Sequence, residues 1–187
     1  MPAQFIHYED YAQKAGSYRK TTGFIFGEVS RQASMSDHIE SPRPPVIVYG
    51  ASVEEAERLH NKKAREATIQ VKGGRRRKIR TDQKTLASIV ISHHYLLEDA
   101  EQNPRMMAEL RSYEQNSINW LKNTFGYDLI SVIRHDDEPH AHWHALILPL
   151  SDPEFKASKL HPGKAAKAKV MQDASLKKLD SKLLNKK

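Results

Sequence analysis

From residue 135 to residue 144 the chain reads His-Asp-Asp-Glu-Pro-His-Ala-His-Trp-His, so four histidines and three acids fall within ten positions. Side chains alternate along a strand, which puts His140, His142 and His144 on one face and Trp143, Ala145 and Ile147 on the other. If Asp136 to Pro139 form a four-residue turn, His135 pairs with His140 and Ile133 with His142. His135 then shares the face of the three later histidines. Neutral imidazoles bind divalent metals, and two from one strand with one from its neighbour make a three-point cage with open positions. The candidate ligands are His135, His142 and His144. Glu138 is either a fourth ligand or a carboxylate that orients an imidazole from behind.

Elements on both sides must hold that segment in place. Tyr18, Ile25 and Val29 make an apolar stripe that predicts a helix from about Ser17 to Gln32. The proline-rich stretch Ser41 to Pro45 stiffens the chain before a β-branched strand, Val46 to Tyr49, closed by Gly50. Ser52 and Glu55 form a capping-box pair that starts a helix running to about Arg65. Lys72 to Arg80 reads as an exposed basic loop, and Leu86 to Tyr95 as a strand. Asn103-Pro104 starts a helix that ends at Gly126 and turns Met107, Leu110, Tyr113, Ser117, Trp120 and Leu121 inward. Leu129 to Arg134 and His140 to Leu150 form a hairpin, and a last helix covers about Lys164 to Leu184. The class is α+β, a mainly antiparallel sheet with helices packed on one of its faces.

Of 187 residues, 39% are hydrophobic and 28% charged, and there is no cysteine. Disulfide and thiolate chemistry are excluded, and a cytoplasmic location is expected. No apolar run approaches the ~20 residues of a membrane span, so membrane contact is not expected from this segment. The net charge of +7 is unevenly spread. Residues 62–80 and 156–187 each hold a local excess of +8, leaving −9 on the rest. A mildly acidic body with two basic segments points to a polyanionic partner. Lys72, Arg75, Arg76, Arg77, Lys78 and Arg80 are the candidate nucleic-acid contacts. Residues 1–155 are expected to form the catalytic domain, and 156–187 a basic helical segment.

The histidine segment resembles the metal motif of the Mob/Pre (MobV-type) plasmid mobilisation relaxases, His-x-Asp-Glu-x-x-Pro-His-x-His, within the HUH endonuclease superfamily. Laid ungapped, it places ligands at His135, His142 and His144 and the acidic pair at Asp137 and Glu138. Ala141 stands where the motif has proline, and Pro139-His140 precede it, which is similar to a branch reading Asp-Glu-Pro-His-x-His-x-His. Glu28-x-x-Arg31, His38-Ile-Glu-x-Pro-x-Pro-Pro45, Tyr49-Gly50 and Leu160 to Ala166 are similar to that branch as well. The resemblance implies an HUH relaxase-like fold and a divalent ion, Mn²⁺ or Mg²⁺. It implies single-stranded or hairpin DNA at an origin of transfer as partner, with other mobilisation or conjugation proteins besides. It implies metal-assisted nicking and rejoining through a covalent 5′-phosphate adduct. Family members run longer, so a truncated segment is expected.

The best-known Mob/Pre members attack with a histidine in an N-terminal His-x-x-Arg motif. Aligning its arginine with Arg31 puts Glu28 at the nucleophile position. Three readings stay open. Glu28 attacks and forms an acyl-phosphate, or Tyr18 (then Tyr8 or Tyr11) takes the role, or the domain binds DNA without cutting it. His7 and His38 are lesser candidates, and a helix-surface Glu28–Arg31 ion pair is the plain structural reading. Two other function classes compete with the relaxase: a non-catalytic HUH-like DNA-binding domain, and a three-histidine metal hydrolase.

Overall fold

A computed structural model describes residues 5–14, 16, 20–37 and 39–173. Its centre is a five-stranded sheet ordered β1-β5-β7-β6-β2, from strands β1 (Phe5–Ala12), β2 (Val46–Gly50), β5 (Lys84–Leu96), β6 (Leu129–His135) and β7 (His140–Ile147). Every neighbouring pair is antiparallel. β3 (Thr68–Gln70) and β4 (Arg76–Lys78) form a separate two-stranded ribbon.

Helices lie on both faces of the sheet, where one had been expected. α1 (Thr22–Val29) and α2 (Val53–Glu66) cover Leu86, Ile133, Leu146 and Leu148. On the other face, α3 (Leu97–Gln102) and α4 (Pro104–Phe125) cover Ala87, Ile89, Trp143, Ala145 and Ile147. The reason lies in the central strands. From Leu86 to Val90 β5 is apolar on both sides except at Ser88, so neither face can be left to water.

Local signals set most helix ends. The Ser52–Glu55 capping box is formed in both directions. Asn103 accepts from the backbone N–H groups of Arg105 and Met106, with Pro104 in the first turn. α1 is shorter than expected because the Thr21 side chain caps it at Phe24 N–H and Arg31 ends it in the left-handed region (φ 60°). Gly50 is required where it stands. Its φ is +79°, and a Cβ there would meet the Ile130 carbonyl oxygen at 2.0 Å.

Four further expectations need correction. Residues 5–12, unassigned by pattern, form edge strand β1. The basic loop is a β-hairpin, with Thr68, Ile69 and Gln70 opposite Lys78, Arg77 and Arg76. Trp120 does not face the core. It is 40% exposed, and α4 buries Leu110, Ile118, Leu121 and Phe125 instead. The β6–β7 register is shifted by two residues, so that His135 pairs with His142 and Ile133 with His144. The last helix, α5, is described over Pro162–Asp173, and the remainder of its expected span lies outside the described residues. No described helix is long and apolar enough to cross a membrane.

Candidate metal centre

The register shift arises in the connection between β6 and β7. His140 pairs with Leu96 of β5 rather than with β6, and the Pro139 carbonyl accepts from Leu97 N–H at 2.8 Å. The acids of the connection are tied from the other side. Arg31 Nη2 donates to Asp137 Oδ1 at 2.5 Å and to Glu138 Oε1 at 2.8 Å, and the Arg43 backbone N–H donates to Asp137 Oδ2 at 3.1 Å. A shift of two preserves strand parity. His135, His142 and His144 therefore still share a face, with His135 directly opposite His142 instead of diagonal to it.

The three rings converge. Ring centroids lie 5.1 Å apart for His135–His142, 4.7 Å for His135–His144 and 5.1 Å for His142–His144. One ring nitrogen from each lies within 4.8 Å of the others. Backbone carbonyls fix two tautomers. His135 Nε2 lies 2.9 Å from the Val29 carbonyl, so the proton sits there and Nδ1 keeps its lone pair. His142 Nδ1 lies 3.2 Å from the His140 carbonyl, which leaves the lone pair on Nε2. Those two lone-pair nitrogens face each other at 3.2 Å. Two acceptors pointed at each other repel unless a cation lies close to both, so this donor set fits a metal ion.

Electrostatics favour the same state. Burial, opposed only in part by the Val29 carbonyl and Asp137, holds His135 down to about 4. His144 is pushed well below the ordinary histidine value by burial, then by His135, His142, Arg31 and Lys20. Both rings stay neutral at pH 7, as ligands must. Glu138 Oε1 stands 3.4 Å from His142 Nε2, and Glu138 also groups with His135 and Asp137 as potential ligands. His140 points elsewhere, with Nδ1 3.0 Å from the Tyr95 carbonyl.

A cavity of about 330 Å³ opens in front of the cluster, lined by Glu28, Arg31, Val90, Ser92, Glu138 and Pro139 together with His140, His142 and His144. Glu28 and Arg31 do not pair with each other as the helix-surface reading had it. Glu28 accepts from Lys20 Nζ at 3.0 and 3.1 Å. The Arg31 side chain is only 4% exposed, and its Nε has no partner.

The tyrosine alternatives separate. Burial and nearby carboxylates raise the Tyr8 and Tyr11 phenols. The Tyr8 hydroxyl donates to the Ala157 carbonyl and that of Tyr11 to Glu9. Tyr18 and His38 lie outside the described residues. His93 packs against Tyr113 of α4, away from the cluster. Sequence reasoning missed Lys20, the role of the Val29 carbonyl and the buried Asp137–Arg31 pair. The first two carry no signal in residue type, whereas an arginine against two adjacent acids is a legible complement. The basic ribbon sits where β5 begins, at Lys84, while the histidines sit beside Val90 and Ser92 toward its other end.

The sequence matches no protein-family model and no curated protein. Among solved structures the fold is similar to the MobM relaxase domain (MOBV; Mob_Pre) bound to a 26-nucleotide pMV158 oriT DNA, at 15% identity and a TM-score of 0.51, covering 91% of this chain and 82% of that one. It is also similar to a Mn-bound crystal structure of that domain with 22-nucleotide oriT DNA carrying a 3′-thiophosphate. There the TM-score is 0.56 at 14% identity, over 90% of this chain and 86% of the other. The chain thus has the fold of a Mob/Pre relaxase domain.

Proposed function

We propose that this chain is the catalytic domain of a Mob/Pre-type relaxase. It nicks and rejoins one DNA strand at a plasmid or integrative-element origin of transfer, in the cytoplasm, with single-stranded or hairpin DNA as substrate. The observation that carries this reading is the convergence of His135, His142 and His144 beside a cavity that also holds Glu28 and Arg31, on the fold of the MobM relaxase domain. A domain that only binds DNA has no use for three imidazoles aimed at one point. A three-histidine hydrolase accounts for the imidazoles but not for the fold or the basic ribbon.

The three histidines would hold a divalent ion, Mn²⁺ or Mg²⁺, with Glu138 beside His142. Bound there, it supplies Lewis-acid polarisation of a non-bridging phosphate oxygen. Glu28 is the attacking group. Its carboxylate oxygen forms a bond to the scissile phosphorus as the bond from phosphorus to the 3′ oxygen breaks. The 3′ oxygen leaves as a hydroxyl, taking its proton from solvent, and the 5′ phosphate stays on Glu28 as an acyl-phosphate. Lys20 must release Glu28 for this, and the freed ammonium remains at the cavity rim for a phosphate. Arg31 keeps Nη2 on Asp137 and Glu138 and so holds the acidic connection beside the histidines.

The test is incubation with supercoiled plasmid carrying the cognate origin, in Mn²⁺ or Mg²⁺. The expected product is a nicked circle with protein on the 5′ end, released by hydroxylamine as acyl-phosphates are. Glu28→Gln should bind DNA but form no adduct, a loss of at least about a hundredfold, since the amide keeps the shape without the charge. A hydroxylamine-resistant adduct that survives Glu28→Gln and disappears in Tyr18→Phe transfers the role to the tyrosine. Binding with no nicking at all supports the binding-only domain.

The ribbon is proposed as a phosphate grip. Arg75, Arg76, Arg77 and Lys78 are all exposed, and only Arg76 is seen to pair, with Thr68 Oγ1 at 2.9 Å. Neutralising Arg75, Arg76 and Arg77 together should weaken binding to unrelated sequences alike. It should also flatten the slope of log K against log salt by about 0.7–0.9 per lost contact. An unchanged slope removes the ribbon from the interface.

A further inference from the structure

Two rows of side chains cross the sheet from the histidines to its edge on one face. Register puts His142, Ser92 and Phe5 in the first row, and His144, Val90 and His7 in the second. α1 and α2 cover the other part of this face, over Tyr11, Leu86 and Leu146, while Val90 and Ser92 stay partly exposed and Phe5 and His7 exposed. Val90 and Ser92 line the cavity beside the cluster. Beyond them, Phe5 is 50% exposed and the His7 side chain 53%. Their rings lie parallel, 9° apart in plane with centroids 5.8 Å apart. An exposed aromatic pair on an unpaired edge strand is an aggregation liability that folding alone does not call for.

We infer that the Phe5–His7 pair is a stacking platform for unpaired nucleobases of the DNA strand held at the three-histidine centre. The inference rests on the relaxase reading and adds a base subsite to it. Continuity is the first argument, because a single strand with a phosphate at the histidines and bases over Val90 and Ser92 arrives at Phe5 and His7 next. Two strand spacings are about 9.6 Å, and a stacked strand advances about 3.4 Å per nucleotide, so the bases concerned lie within about three nucleotides of the scissile bond.

Charge sets the orientation of the strand. The platform holds no lysine or arginine, and Glu9 closes the row, 3.7 Å from His7 Nε2 and 3.0 Å from the Tyr11 hydroxyl. A carboxylate repels phosphates and accepts from base amino groups, so bases rather than backbone face this surface. Stacking on aromatic rings is sequence-tolerant, as every base has a π-face.

The test uses the full chain and a fluorescein-labelled oligothymidylate about twelve nucleotides long, beside an abasic strand of equal length. Phe5→Ala should weaken binding to oligothymidylate about tenfold and leave the abasic strand unaffected, because only the bases lose a partner. Phe5→Trp should restore affinity and add tryptophan emission that oligothymidylate quenches and the abasic strand does not. Equal loss on both strands, unchanged affinity in Phe5→Ala, or no quenching in Phe5→Trp overturns the platform and leaves the relaxase reading standing. Wild-type protein that binds neither strand also overturns the platform, whereas the relaxase reading is decided by nicking of the origin plasmid.

Discussion

His142→Ala is expected to lower nicking by about a thousandfold while the protein stays folded. The figure follows from losing Lewis-acid stabilisation of several kcal/mol, at about 1.4 kcal/mol per decade of rate. His142 suits the test because it lies at the cavity beside Glu138, whereas His135 is 1% exposed and tied to the Val29 carbonyl of α1. Mn²⁺ titration by calorimetry should show affinity falling together with activity, and the melting temperature of the metal-free protein should move little. If the variant binds Mn²⁺ as tightly as wild type and nicks at the same rate, the reactive centre lies elsewhere. If it cannot fold, the metal is structural.

Arg31→Ala should have the largest effect on stability. The Asp137 side chain is 1% exposed, and its partners are Arg31 Nη2 and the Arg43 backbone N–H. Burial pushes its carboxyl up, and the Arg31 guanidinium and then the Arg43 backbone N–H outweigh that and hold it below the usual range. Removing the guanidinium strands a charge in the interior, a change that typically costs about 3–5 kcal/mol. For a chain of this size that is roughly a 10 °C fall in melting temperature. Asp137→Asn in the same background should recover part of the loss, because the stranded charge is then gone. A melting temperature within about 2 °C of wild type would show that the pair is solvated in solution and that the connection holds its shape by other means.

Strand parity was legible in the sequence because alternation follows from covalent geometry alone, and so the shared face of the three histidines could be read directly. Their register was not. It depends on Leu97 and Leu96 drawing Pro139 and His140 toward β5, and on Arg31 and Arg43 fixing Asp137, contacts 42 to 106 positions apart along the chain. β1 escaped notice because Phe5 to Ala12 mixes acids, tyrosines and apolar residues without clean alternation, as an edge strand with one open face does. Trp120 was misplaced because helical period alone gives two adjacent stripes on α4, and only packing against the sheet selects the one through Ile118, Leu121 and Phe125. Helix caps fared best, since Ser52–Glu55 and Asn103–Pro104 act over three residues and need no tertiary partner.

The end of α1 and the residues just after it engage the histidine cluster through two groups, neither of which is the side chain at position 28. One is the Val29 carbonyl on His135, a backbone atom that every residue supplies, and the other is Arg31 on the acidic connection. The support for the imidazoles is thus independent of the side chain at position 28. A histidine, glutamate or other side chain can occupy position 28 without altering what holds His135 in place. Exchange at position 28 therefore changes the group presented to the cavity while the three imidazoles keep their support.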